Sequence, residues 1–187
     1  MTFVRHIPNN KSVITTKWVF ATKRDKNNNI SKYKALLVAR GFTQKYGTDF
    51  DLTYSPTLNS DSLKLIISIA AKLHWNMFQL DIKSAYLNAV LDKVIYTSIP
   101  QGDPNYGKGF WKLNKALYGL RQSGRQWYKT ITNFITNNGF KQLKSEPCMF
   151  FKIFNNKVTC LIGIYVDDMI IMGSDQEIKF FINNKKI

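Results

Sequence analysis

A chain of 187 residues with 44% hydrophobic and 14% aromatic side chains is long and apolar enough to fold, as one substantial domain or as one lobe and part of another, and is no disordered tail. Its net charge of +15 is spread evenly, with 12 Lys/Arg against 4 acids over residues 1–80 and 15 against 8 over residues 81–187, so the folded surface itself is positive. Such a surface attracts polyanions, nucleic acid foremost; a lysine-rich surface kept for solubility is the plainer alternative.

In chain order, residues 13–23 and 30–40 are β-branched and aromatic segments joined by Asp25-Lys26-Asn27-Asn28-Asn29, the pattern of a hairpin with a long polar turn. Residues 49–56 read as loop. Asn59 or Ser60 caps a helix whose apolar stripe is Leu63, Ile66, Ile67, Ala70 and Leu73. A short strand over 77–82 leads to a helical turn over 86–91, a strand over 94–99 and a Gly/Pro-rich loop over 100–109. Residues 124–138 form a second amphipathic helix with Trp127, Ile131, Phe134 and Ile135 inward and Gly139 as its stop. Strands over 149–154 and 158–166, joined by Asn155-Asn156, precede a return strand over 169–172. Ser174 with Glu177 predicts a capping box, and the helix it opens continues to Ile187. Strands interleaved with helices and hairpins give an α+β fold with an antiparallel sheet.

Cys148 and Cys160 lie in apolar surroundings without metal-ligand spacing. They read as buried free thiols in a reducing compartment, with a disulfide between neighbouring strands as the minor alternative. No charged-then-apolar leader opens the chain, and no stretch reaches the roughly 18 apolar residues of a membrane span. The expectation is a soluble, intracellular protein. His6 and His74 are isolated and take surface or packing roles.

The chemistry is concentrated at Tyr165-Val166-Asp167-Asp168, two adjacent carboxylates within an apolar run from Cys160 to Met172 that holds no other charge. Burying them costs free energy unless a turn lifts them into water or a cation binds them. From the pair alone a solvated Asp-Asp turn is the commoner case. Asp81 is the sole acid of its strand-like segment. A distant Asp plus an adjacent pair is a plausible minimum for holding two Mg²⁺ ions about 3.5–4 Å apart in phosphoryl transfer. In a regular strand Asp167 and Asp168 would point to opposite faces; a tight turn would bring both to one rim, facing Asp81.

Tyr165-Val166-Asp167-Asp168 resembles the catalytic tetrapeptide of reverse transcriptases. Further blocks resemble, in the same order, the copia-type long-terminal-repeat retrotransposon branch. They are Lys17-Trp18-Val19-Phe20, Tyr33-Lys34-Ala35 with Leu37 through Gln44, Tyr54-Ser55-Pro56, and Gln79 through Asn88. Pro100-Gln101-Gly102, Leu117-Tyr118-Gly119-Leu120-Arg121-Gln122 and Trp127-Tyr128 follow. The resemblance implies a reverse transcriptase domain over 1–187, with 1–76 mostly fingers and 77–187 mostly palm. It also implies an antiparallel sheet with packed helices; the thumb that follows the palm in the family is expected to be absent from this chain. By the same resemblance Asp81, Asp167 and Asp168 bind two Mg²⁺ ions, with Mn²⁺ as a substitute. Tyr86 would be a steric gate selecting deoxynucleotides, against the plainer reading of a packed core tyrosine.

Tyr118, Gly119 and Gln122 would lie near the incoming nucleotide and template, against ordinary turn chemistry. Lys32, Lys34 and Arg40 could meet its triphosphate, against a solvated basic strand. Tyr165, Arg121 and Arg125 would face template and primer. The implied partners are an RNA template, a DNA or RNA primer and dNTPs, with no membrane; the implied location is cytoplasmic, or within virus-like particles.

Three positions depart from the family pattern: Leu36 stands where Arg is usual, Gly124 where Pro is usual and Ala89 where Gly is usual. The chain stops within the helix begun at Ser174, so Phe180, Phe181 and Ile182 are expected to lack some burial partners, and full activity is expected to need thumb and RNase H segments. The readings to separate are an RNA-directed DNA polymerase segment and an inactive, basic nucleic-acid-binding remnant of a decayed retrotransposon. A non-polymerase metal phosphohydrolase fits poorly, because it gives the fingers-like blocks no role.

Overall fold

The computed structural model of the chain describes residues 1–183, apart from the side chain of Phe180. Its elements begin with β1 (Thr2–Val4), β2 (Val13–Ile14), β3 (Thr16–Arg24), β4 (Ile30–Ala39), α1 (Ser60–Lys72) and β5 (Asn76–Asp81). They continue with β6 (Tyr96–Ser98), β7 (Phe110–Lys112), α2 (Ser123–Asn137) and β8 (Lys141–Gln142). The last are β9 (Met149–Phe154), β10 (Lys157–Tyr165), β11 (Asp168–Gly173) and α3 (Asp175–Asn183). This is an α+β fold. Two units share the chain: Met1–Thr53 with Ala89–Gln126, and Tyr54–Asn88 with the residues from Trp127 onward. They interleave in sequence. Among the described residues, no helix is long and apolar enough to cross a membrane.

In the first unit, β3 and β4 form a two-stranded antiparallel ribbon. Asp25 builds its turn, because Oδ1 accepts from the N–H groups of both Asn27 (2.8 Å) and Asn29 (2.9 Å). Cross-strand partners share a face, so Trp18, Phe20 and Tyr33 lie on one side of the ribbon, and Lys17, Lys23, Lys32 and Lys34 on the other. Leu36 lies opposite Val19, an apolar pair where the family pattern has a cation. A four-stranded sheet, β1-β7-β6-β2, includes one parallel pair, β2 with β6. Ile14, Ala39, Ile95, Leu113, Leu117 and Leu120 form this unit's core.

The second unit is built on a five-stranded antiparallel sheet, β5-β11-β10-β9-β8. Asn155 and Asn156 join β9 to β10 with φ of 48° and 58°, the positive values a two-residue hairpin requires and asparagine tolerates. Asn59 caps α1 by accepting from the Asp61 N–H at 2.8 Å. α1 packs on the sheet face carrying Leu161 and Met172. A Cβ on Gly163 would stand 3.1 Å from Leu58 and 3.3 Å from Ile66, which shows how closely this segment approaches.

The apolar stripe of α1 splits. Ile66 and Ala70 are buried, but Ile67 (36% exposed) and Leu73 (49%) are not. A helix lying on a sheet seals a narrow line of contact, and the predicted stripe is wider than that line.

Two expectations at the end of the chain are corrected. Phe181 is 2% exposed, packed edge-on against Phe134 (5.8 Å between centroids) and Phe140 (5.5 Å), so it has burial partners. The capping box does not form. The Ser174 N–H donates to Thr159 O, and the Glu177 carboxylate takes Lys152 Nζ at 2.7 Å. The continuation of the helix to Ile187 falls outside the described residues. Strands β1, β7 and β8 escape a reading of local pattern because they are two or three residues long.

Cys148 and Cys160 are buried and unpaired with each other. Burial pushes each thiol up to about 12, with the charge of Glu146 adding at Cys148 and that of Glu177 at Cys160. At pH 8 both are therefore protonated and poor nucleophiles. Ellman's reagent should release almost no thionitrobenzoate from the native chain at pH 8 and two equivalents after unfolding in guanidinium; fast native labelling would contradict this packing.

Candidate active site

The two carboxylates occupy a tight hairpin between β10 and β11. Tyr165 pairs with Asp168, leaving Val166 and Asp167 as the two turn residues. Strand β11 then runs antiparallel to β5 in unbroken register from Asp168 opposite Asp81 to Gly173 opposite Asn76. Asp81 and Asp168 are thus direct cross-strand neighbours, on one face and at one rim of the sheet. Both are exposed, while Asp167 is half-buried. Two bonds position the strands here: the Ile82 N–H donates to Asp167 O at 2.8 Å, and Gln79 Nε2 donates to Asp168 Oδ1 at 3.2 Å.

Like charges directly opposite one another cost roughly 0.2–1 kcal/mol. All the donors are carboxylate oxygens, the set that hard divalent cations take. A cation between Asp81 and Asp168 would reverse the sign of their interaction, so the pair fits such an ion. Among the described residues, however, no three His, Cys, Asp or Glu side chains are gathered as a metal-holding group. Asp167 stands at the turn beside the pair, and its charge acts on Tyr86. The Tyr86 hydroxyl is pushed above its ordinary value, first by burial and then by Asp167. Tyr86 lies in a short 3-10 turn, Ala85–Asn88, and stays neutral across the physiological range. Ala89, where the family pattern has Gly, is fully buried.

The remaining sequence-predicted residues belong to the first unit, except Tyr165, which is exposed beside the turn. Lys34 and Arg40 are exposed; Lys34 lies within β4 and Arg40 just after it. Gly119, at φ 91°, approaches the Ala39 backbone so closely that a Cβ would strike its carbonyl, and a Cβ on Gly41 would strike that of Gly119. The Ala39 N–H donates to Tyr118 O at 2.8 Å. Gln122 is fully buried, its amide donating to Asp49 O (2.8 Å) and accepting from Gln44 Nε2 (2.9 Å). Arg121 lies over the Phe50 ring at 5.4 Å and donates from Nε to Gly41 O. Arg125 is half-buried near the start of α2, which opens one residue before Gly124.

The family model described as reverse transcriptase (RNA-dependent DNA polymerase) matches residues 2–186. The chain belongs to this family. It is 41% identical over 172 residues to the Retrovirus-related Pol polyprotein from transposon TNT 1-94 of Nicotiana tabacum, covering 91% of this chain and 13% of that protein. It is 34% identical to the polyprotein from transposon RE1 of Arabidopsis thaliana, covering 90% and 12%. It is 35% identical to the Ty1-DR5 Gag-Pol polyprotein of Saccharomyces cerevisiae, covering 88% and 9%. The chain is a copia-type reverse transcriptase segment spanning about an eighth or less of these relatives.

Two features of this reverse transcriptase segment escape its sequence motifs. Gln79 bonds the Asp168 carboxylate, which its place two residues before Asp81 on the same strand face could have signalled. Trp127 reads from sequence as a core residue of α2. It is buried, but its indole N–H also donates to Val166 O at 2.7 Å, and the available signal is that a buried indole seeks an acceptor.

In metal-free buffer, Asp81→Asn should raise the thermal midpoint by about 1–3 °C, because it removes one charge of the opposed pair. Millimolar Mg²⁺ should raise the midpoint of the parent chain and leave that of the variant unmoved. Differential scanning calorimetry with and without the metal checks both.

Proposed function

We propose that the chain is the fingers-and-palm segment of a copia-type RNA-directed DNA polymerase, with the β3–β4 ribbon as part of the fingers and the five-stranded sheet as the palm. The reaction is addition of dNTPs to a primer 3′-hydroxyl on an RNA template by two-metal phosphoryl transfer. The observation that carries this reading is the direct pairing of Asp81 with Asp168 beside the turn that bears Asp167. A thumb and RNase H region of a longer polyprotein would complete the grip on the primer, and positioning supplies much of the rate in such reactions.

Asp81, Asp167 and Asp168 would hold Mg²⁺, for which Mn²⁺ can substitute. Bound there, the ions would activate the primer hydroxyl and neutralise charge at the phosphates. The carboxylates supply negative charge on one rim, without which a hydrated cation would have no reason to stay. Tyr86, kept neutral by burial and by Asp167, offers an uncharged aromatic wall suited to excluding a 2′-hydroxyl. Lys34 and Arg40 supply cations for the triphosphate. Tyr118 and Gly119 shape the surroundings of the nucleotide, and Gln122 contributes through the backbone that its buried amide holds. Tyr165, Arg121 and Arg125 face template and primer.

Primer extension on a homopolymeric RNA template should require Mg²⁺ or Mn²⁺. Asp167→Asn should reduce it about 10²–10³-fold, on the scale lost when a principal electrostatic group is removed. Binding of the same template should be nearly unchanged by that substitution and should fall steeply with salt. Salt-sensitive binding by the parent chain without any extension would favour the inactive remnant.

A further inference from the structure

We propose that Trp127 is a positioning residue for the carboxylate turn: its indole N–H holds Val166 in a backbone conformation that valine does not keep unaided, and so presents Asp167 and Asp168 in one arrangement. The purpose assigned to the turn rests on the polymerase reading above; the holding itself is a property of the folded chain.

Val166 has φ of 54°. The other non-glycine residues with positive φ among those described are Asn28, His74, Ser84, Asn155 and Asn156. Val166 is the β-branched member of that set, and for such a side chain positive φ is a true outlier. The same sheet contains a comparison. The β9–β10 turn meets the same two-residue constraint with Asn155-Asn156, residues suited to it, whereas the β10–β11 turn uses Val166-Asp167.

What the second turn lacks in local preference it gains in tertiary bonds. Trp127 Nε1 donates to Val166 O at 2.7 Å, and Ile82 N donates to Asp167 O at 2.8 Å. The turn is thereby held from an adjacent helix and an adjacent strand. Trp127 is 2% exposed, on the same buried side of α2 as Ile131 and Ile135, so the donor itself is fixed by packing. A ligand reads only the fraction of turns in the competent arrangement, and its apparent affinity falls in proportion when that fraction falls.

The test is a cycle in the full 187-residue chain: parent, Trp127→Phe, Val166→Gly and the double variant. Glycine accepts positive φ without strain, so it should remove the need for the indole N–H. The first readout needs no metal: amide hydrogen exchange of Ile82, whose N–H closes on the turn. Trp127→Phe should speed that exchange at least about tenfold in the valine background and twofold or less in the glycine background. The second is Mn²⁺ affinity, measured with the metal alone by electron paramagnetic resonance. It should weaken about tenfold and about twofold in the same two backgrounds.

Equal factors in both backgrounds would show that Trp127 only fills space, and would overturn the proposal. If Mn²⁺ fails to bind the parent chain while the Ile82 pattern holds, the polymerase reading fails and the positioning role stands. If Trp127→Phe does not fold, benzothienylalanine at residue 127, which keeps the bicyclic shape and lacks the N–H, takes its place in the cycle.

Discussion

The register of β11 against β5 is the constraint on which the candidate site depends. Six consecutive residue pairs, from Asp168–Asp81 to Gly173–Asn76, lock two segments 87 to 97 positions apart in sequence. Because side chains alternate between faces, a slip of one residue would send Asp168 to the opposite face from Asp81. Met169, Ile171 and Met172 make such a slip costly, since each is nearly completely buried and would have to leave its packing. The apolar flanks of the carboxylates therefore act as the clamp that sets them opposite Asp81, against a mutual repulsion that would otherwise drive them apart.

In the first unit a buried polar network does comparable work. Asp49 accepts from Ser12 Oγ and from the Lys45 N–H, Gln44 and Gln122 bond each other, and Gln44 Oε1 accepts the Arg121 N–H. Around this network Gly41 and Gly119 let two backbones meet where a Cβ on either would collide. Satisfied buried networks rigidify and specify a single arrangement. This gives a physical reason for the demanding residue choices in the blocks around Gln44 and Gln122, whatever either contributes to a nucleotide.

Much of the local structure was legible. The Asp25–Asn29 turn, the Asn59 cap, the Gly139 stop and the Asn155-Asn156 hairpin each rest on chemistry within a few residues, and each formed. The mistaken expectations concern partners distant in sequence. Ser174 and Glu177 have the spacing of a capping box, but Thr159 and Lys152 competed for their groups and won. The predicted stripe of α1 is wider than the sheet covers, since Ile67 and Leu73 stay exposed. The short β1 has little strand signal of its own and exists because Phe110–Lys112 pairs with it from the far side of the sequence.

The carboxylates divide in the same way. By itself the sequence determined which residues could carry the chemistry, because two acids in an apolar run and a third after a strand are visible as composition, and the ordered motif blocks marked the family. It also set the places where the chain must turn. The tertiary structure decided that Asp168 lies opposite Asp81 and that a valine occupies the positive-φ position of the turn under the indole of Trp127. Those outcomes depend on strand register and on hydrogen bonds between groups tens of residues apart, which are chosen by packing and not by local preference.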